Sequence, residues 1–342
     1  MIKTTIKQKI GAHIFSAIPF SVVQKLTGAK LIIPYYHMVS DEQVPHVRHL
    51  YAYKNIKQFR SDLDFFLKHF NPVSLLELLD SIKNGSCLPA KAFLLTFDDG
   101  FREMFDIVAP ILKEKGVPAT FFVNSAFIDN KELCYLNKLS ITVERMKNQK
   151  TVTSTDEIEK LLMVAGVPYS EIHSGILSIP YKQKDLADKI AELLNIDLRG
   201  YLAQHKPYLT SDQIAGLIRD NFTIGTHSID HPVYGLLSLE EQLYQTKESM
   251  KVLKEKYYLN YCAFAFPHKD NNVSKMFFSE IYNSGSIDIS FGTSGMMQDC
   301  FLNHFQRVSM EKPLMQAVKI IRLQLVKKFY RLMMGNNKII RR

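Results

Sequence analysis

The chain reads as an α/β fold whose parallel strands close into a barrel, and three observations predict it. Short apolar runs of strand character alternate with helical stretches, which favours parallel strands joined by crossover helices. Chemistry-bearing residues follow several of these runs, and in a barrel such residues gather at the C-terminal ends of the strands. The chain is 342 residues long and 46% hydrophobic, which suits one main domain with additions around a substantial core.

In order along the chain, residues 31–36 form a strand candidate ending at His37. Ile56, Phe59, Leu63, Phe66, Leu67 and Phe70 mark one helix face, and a short helix begins within 73–79. A strand at 93–97, a helix at 102–115 stopped by Gly116, and a strand at 119–123 follow. Later come a helix near 239–256, a strand at 262–266, a helix near 273–284 and a strand around 287–292. Between 130 and 205 the alternation lapses: helical stretches near 132–147, 155–164 and 182–195 stand without a convincing strand. We read this as a helical insertion beside the catalytic face, forming either a wall or lid of a substrate groove or a packing decoration.

Two constellations carry chemistry. The apolar run Phe93-Leu94-Leu95-Thr96-Phe97 ends in Asp98-Asp99-Gly100, two adjacent carboxylates at a strand terminus. Asp-Gly alone is a common turn dipeptide. A second apolar run, Phe222-Thr223-Ile224-Gly225, leads into Thr226-His227-Ser228-Ile229-Asp230-His231-Pro232. Two imidazoles four residues apart share a face if that segment is one helical turn, which suits a divalent metal. Together the segments supply one oxygen ligand, two nitrogen ligands, open positions for water and a spare carboxylate to act as base.

These residues resemble the polysaccharide deacetylases, which include chitin and chitooligosaccharide deacetylases (NodB homology, carbohydrate esterase family 4 like). Thr96-Phe97-Asp98-Asp99-Gly100 is similar to their first motif and His227-Ser228-Ile229-Asp230-His231 to their second. The resemblance covers roughly 31–129 and 206–311. It implies a distorted (β/α)7 barrel and a hydrolase that removes an N-acetyl group from an amino sugar, acting on a carbon–nitrogen bond that is not a peptide. It further implies Asp98 as general base, Asp99, His227 and His231 as ligands of a divalent metal such as zinc, and Ser228 as a brace for the histidine loop. The third motif has its counterpart in Phe264-Ala265-Phe266-Pro267-His268, with Ala265 where an arginine would orient the base. Either Asp98 is supported differently or turnover is slow. For the general acid, Leu302-Asn303-His304 fits the letters of the last motif, and His268 is a rival. Phe305–Ser309 reads as the adjoining strand, which leaves His304 in the preceding loop.

His37 reads either as a substrate contact or as a hydrogen-bonded barrel histidine. Tyr35 and Tyr36 either stack on a sugar ring or fill the core, and the absence of tryptophan leaves any sugar platform to Tyr or Phe.

The net charge of +9 sits at the ends. Residues 1–30 carry five lysines and no acid, residues 312–342 carry nine basic residues and no acid, and the middle is near −5. The expected organisation is a basic segment over 1–30, a barrel over 31–311 interrupted by the 130–205 insertion, and a basic amphipathic helix and tail over 312–342. From Pro313 a stripe of Leu314, Val318, Ile321, Leu325, Phe329 and Leu332 has helical spacing. That helix either lies on an anionic membrane or packs on the barrel ahead of a disordered tail. The apolar run from Ile10 to Val23 is too broken to span a bilayer. Four dispersed cysteines without a Cys-x-x-Cys indicate neither a disulfide framework nor a zinc ribbon. The chain is therefore expected to be cytoplasmic, with contact to a membrane surface, an N-acylated saccharide as substrate and no nucleic-acid partner. The alternatives are a deformylase or O-acetyl esterase of the same fold, and a non-catalytic carbohydrate-binding protein.

Overall fold

The computed structural model describes residues 19–148, 154–312 and 315–342. Seven parallel strands form its frame. They are β1 (Pro34–Tyr36), β2 (Leu95–Phe97), β3 (Ala119–Val123), β4 (Thr223–Thr226), β5 (Ala263–Ala265), β6 (Ile289–Gly292) and β7, which runs as His304–Gln306 and Val308–Ser309 on either side of Arg307. Each pairs with the next, as Leu95 does with Ala119 and Thr120 with Thr223. β7 pairs twice: its first half lies on β6, with His304 opposite Ser290, and its second half on β1, with Val308 opposite Pro34. This double pairing joins the two edges of the row and closes the barrel, leaving none of the seven as an edge strand.

The strands are short and almost wholly buried, because helices cover them outside and side chains fill them inside. Phe97, Phe121 and Phe122 are fully buried in this core. Local sequence sets the helix starts. Asn55 with Gln58, Ser74 with Glu77, Thr210 with Gln213 and Ser238 with Glu241 form reciprocal capping boxes for the helices Ile56–His69, Leu75–Asn84, Ser211–Arg219 and Leu239–Tyr257. Of the face expected on Ile56–His69, Leu67 turns to solvent while Asp62 is buried instead. The 102–115 element opens as a wider π turn, Met104–Val108, before Ala109–Lys115, and Gly116 ends it at φ 65°.

Among its described residues the 130–205 region holds five α-helices rather than three. Tyr135–Asn148, Thr155–Val164 and Asp185–Leu193 match the expected stretches, while Ile172–Leu177 and Leu198–His205 are too short to show periodicity. They share a second core with the 38–47 loop, in which Met38, Val47, Leu139, Val143, Ile158, Leu162, Ile176 and Ile190 are fully buried.

The chain ends differ from expectation. Residues 1–18, with most of the first basic segment, and Pro313–Leu314 lie outside the described residues. The helix Ala317–Met333 buries Ala317, Ile320, Ile321, Leu325 and Val326 against Phe20–Thr27 and Ile56–His69. Its packed face is thus rotated from the predicted stripe, and Leu332 is exposed. The segment beyond it is not a disordered tail. Lys338–Ile339 pairs with Gln298–Asp299, and Arg341 is buried with its guanidinium on Asp299 and Asp270 and over the Phe278 ring at 4.0 Å. Two buried carboxylates would repel one another without that cation.

Candidate metal centre and active cavity

Asp98 and Asp99 leave β2 at the mouth of the barrel, and their backbones diverge at once. The Asp98 amide donates to the Tyr36 carbonyl (3.0 Å), continuing the ladder, whereas Asp99 and Gly100 both adopt left-handed conformations (φ 70° and 66°). A Cβ on Gly100 would meet Val123 Cγ1 at 3.0 Å, so glycine answers both the turn and the close approach. The turn lets neighbouring carboxylates face different partners.

The histidine pair is not on a helical turn, contrary to the spacing argument. His227 and His231 lie in the loop after β4, where Ser228 and His231 are also left-handed (φ 74° and 65°). Such non-glycine conformations persist only when neighbours impose them. Ser228 Oγ accepts the His231 amide (3.0 Å), and Asn124 Nδ2 donates to the His227 carbonyl and to Ser228 Oγ. From the insertion, Tyr181 (2.7 Å) and Lys184 (2.6 Å) hold Asp230 in the same loop.

These restraints bring Asp99, His227 and His231 together, with one ligand atom from each lying within 4.8 Å of the others. Asp99 Oδ1 stands 3.5 Å from His227 Nε2 and 3.2 Å from His231 Nε2, is buried and receives no hydrogen bond. Its other oxygen accepts the Tyr51 hydroxyl (3.2 Å). His227 Nδ1 donates to the Ala265 carbonyl (2.9 Å), which leaves Nε2 free as a lone-pair donor. Burial lowers the pKa of His227 despite Asp98, favouring the neutral form a metal needs. An orphaned carboxylate oxygen opposite two ring nitrogens fits a divalent cation.

Asp98 has a different partner. Arg307, fully buried between the halves of β7, donates from Nη1 to Asp98 Oδ1 and from Nη2 to Oδ2, each at 2.7 Å. Burial pushes the Asp98 carboxyl up, but Arg307, His227 and His37 outweigh it and hold the pKa below the usual carboxylate value. Of the two possibilities left open by Ala265, the structure shows different support: the guanidinium comes from the opposite end of the chain. Sequence reasoning missed this residue, although a lone arginine inside the strand-like run Phe305–Ser309 was a signal, since a buried cation demands a carboxylate.

The expectation for His304 needs correction. It begins β7 rather than lying in a loop, its side chain is fully buried, and its ring meets Ser290 Oγ (2.6 Å) and Asp270 Oδ2 (3.0 Å). It does not line the cavity, so it cannot reach a substrate there. His268 lines the rim, with its ring 4.7 Å from that of His231. His37 lines the cavity as well, with Nδ1 on the Glu311 carboxylate, which also accepts the amides of His37 (2.7 Å) and Met38 (3.1 Å). Burial would lower the pKa of His37, but Glu311 and then Asp99 raise it to about 10. Tyr35 lines the cavity and packs under Arg307, while Tyr36 is core.

The cavity over these groups measures about 900 Å³. Cys134, Leu136, Asn137 and Leu177 of the insertion line one side of it, and Lys269, Asn271 and Asn272 lie on another. The insertion is therefore a wall of the cavity.

Residues 85–174 match the family described as polysaccharide deacetylase. The chain is related to the polysaccharide deacetylases. A poly-β-1,6-N-acetyl-D-glucosamine N-deacetylase of Escherichia coli strain K12 is 35% identical over 60 residues, which is 18% of this chain and 9% of that protein. The chain thus meets less than a tenth of this curated relative's length. Two solved structures share the fold at 15% identity. A Streptococcus pyogenes deacetylase in complex with acetate has a TM-score of 0.55, covering 86% of this chain and 98% of that one. IcaB from Ammonifex degensii has a TM-score of 0.51, covering 87% and 97%.

Proposed function

We propose that this chain hydrolyses the N-acetyl group of an amino sugar within an oligo- or polysaccharide or a lipid-linked saccharide, using a divalent metal, zinc by preference. The observation that carries this reading is the pairing of two different carboxylate environments on adjacent residues. Asp99 faces His227 and His231 with an unsatisfied oxygen, while Asp98 is held ionised by Arg307. Asp99, His227 and His231 would hold the metal, which supplies Lewis acidity toward an amide carbonyl and acidifies a water.

The protein's own groups account for the proton movements. Asp98, ionised and fixed in plane by two hydrogen bonds, accepts a proton from the attacking water on a lone pair that Arg307 leaves free. Glu311 at Nδ1 favours the protonated form of His37, which lines the cavity, so its Nε2 would supply a proton to the departing amine. His268 stands at the rim as the second candidate. A purely saccharide-binding protein would have no use for a buried, charge-paired aspartate beside a carboxylate oxygen that receives no hydrogen bond.

The test is release of free amine from N-acetylated β-1,6-linked glucosamine oligomers by zinc-loaded protein, with Asp98→Asn as control. Turnover by the wild type and loss of at least a hundredfold in the variant are expected. Zinc binding without turnover on any N-acetylated, N-formylated or O-acetylated saccharide would refute the hydrolase reading.

A further inference from the structure

We propose that the last two turns of the helix Ala317–Met333 form a docking surface for an anionic lipid bilayer. The proposal does not depend on the deacetylase reading. Tyr330, Leu332, Met333 and Met334 are exposed there, Met333 and Met334 by more than 70%. On the same two turns lie Lys327, Lys328 and Arg331, with Lys327 and Arg331 at the i, i+4 spacing that places them side by side.

The basic residues lack partners. Among the described residues, Lys312, Lys327, Lys328 and Arg331 make no ion pair with any carboxylate, although the molecule pairs many of its other surface charges. Arg331 Nη1 is buried without a hydrogen-bond acceptor. Burial lowers the pKa of Lys327, and the charges of Lys312 and Arg331 lower it further, so these cations sit close enough to repel one another. A mutually repulsive cluster of cations without carboxylate partners is complementary to phosphate oxygens.

The neighbouring apolar residues select the source of that phosphate. Basic residues alone would suit any polyanion. Basic residues one turn from contiguous exposed Leu and Met suit a bilayer surface, where cations meet anionic headgroups and apolar side chains enter the acyl boundary. Among the described residues no helix is long and apolar enough to cross a membrane, so the contact is peripheral. The residues that fix the helix on the body, Ala317, Ile320, Ile321, Leu325 and Val326, end at Val326, which leaves the turns beyond it for a partner.

The full chain would be sedimented with vesicles of phosphatidylcholine alone and of phosphatidylcholine mixed equally with phosphatidylglycerol. Binding only to the mixed vesicles, weakened by salt, is expected. The double variant Lys327→Gln with Arg331→Gln should bind about thirtyfold more weakly, from roughly 1 kcal/mol for each basic residue. Met333→Ser with Met334→Ser, at strongly exposed positions that the fold does not use, should also weaken binding. Lys160→Gln, on the insertion, should leave it unchanged. Sedimentation with neither vesicle, or binding by both double variants as tight as that of the wild type, would overturn the proposal. So would displacement by duplex DNA below the vesicle affinity, which would mark a nucleic-acid surface, or by inorganic phosphate at constant ionic strength, which would mark a small-anion site.

Discussion

Arg307 grips both oxygens of Asp98 at 2.7 Å, although 209 residues separate them in the chain. The pair is fully buried, and the guanidinium is further held by the Gly292 carbonyl and Thr96. Removing one member of such a pair leaves an uncompensated charge. Arg307→Met should therefore cost about 3–5 kcal/mol in chemical denaturation. Arg307→Lys should be better tolerated in stability yet lose most of kcat, because a point charge cannot hold the carboxylate in plane. If kcat survives in the lysine variant, orientation of Asp98 is not what the arginine provides.

The Tyr51 hydroxyl on Asp99 Oδ2 fixes which oxygen turns toward the histidines. Tyr51→Phe should weaken zinc affinity about 10- to 100-fold while leaving the fold intact. His231→Ala should abolish binding. Competition against a chelating dye measures both, and equal affinities for wild type and Tyr51→Phe would show that the hydroxyl has no orienting role.

The His37–Glu311 pair has a pH signature in the metal-free protein. The folded-state pKa of His37 is raised from 6.5 to about 10, so the folded state binds its proton more tightly than the unfolded chain does. The resulting stabilisation is fully present below pH 6.5 and is lost as pH rises through about 10. Glu311→Gln should flatten that decline. Denaturation midpoints between pH 6 and 10 in the two proteins test it, and parallel curves would exclude the pair as the source.

Arg341 ties Asp270 and Asp299 together and donates to the Asp270 carbonyl at 2.7 Å. The flanking residues His268, Lys269, Asn271 and Asn272 line the cavity. Arg341→Met should lower stability by about 3–5 kcal/mol, by stranding two buried carboxylates. It should also raise KM more than it lowers kcat, since it loosens the rim rather than the reacting groups. An unchanged KM would confine its role to stability.

Much of this arrangement was legible in the sequence. Strands 119–123 and 289–292 emerged because both faces are buried and their apolar runs are continuous, and Asp98, Asp99, His227 and His231 stood out as polar residues ending such runs. What escaped was set by tertiary contact. His37, Glu311 and Arg307 gain their roles only when β7 lies beside β1, and no local pattern reports a pairing across more than 270 residues. The His304 expectation failed for the same reason: letters near one another in sequence pointed into the barrel wall, not the cavity. Left-handed conformations at Asp99, Ser228 and His231 are likewise imposed by neighbours, since only Gly100 advertises its turn.

The double pairing of β7 has a consequence for biogenesis. This strand closes the barrel by joining nearly the last barrel residues to the first, and it brings both Arg307 and Glu311. Long-range contacts of this kind are the slowest to form. Until the nascent chain has emerged past Glu311, Asp98 and His37 lack the groups that set their charge. The protein thus acquires its reactive state in the same event that completes its architecture, and a truncated or half-assembled chain would be chemically silent.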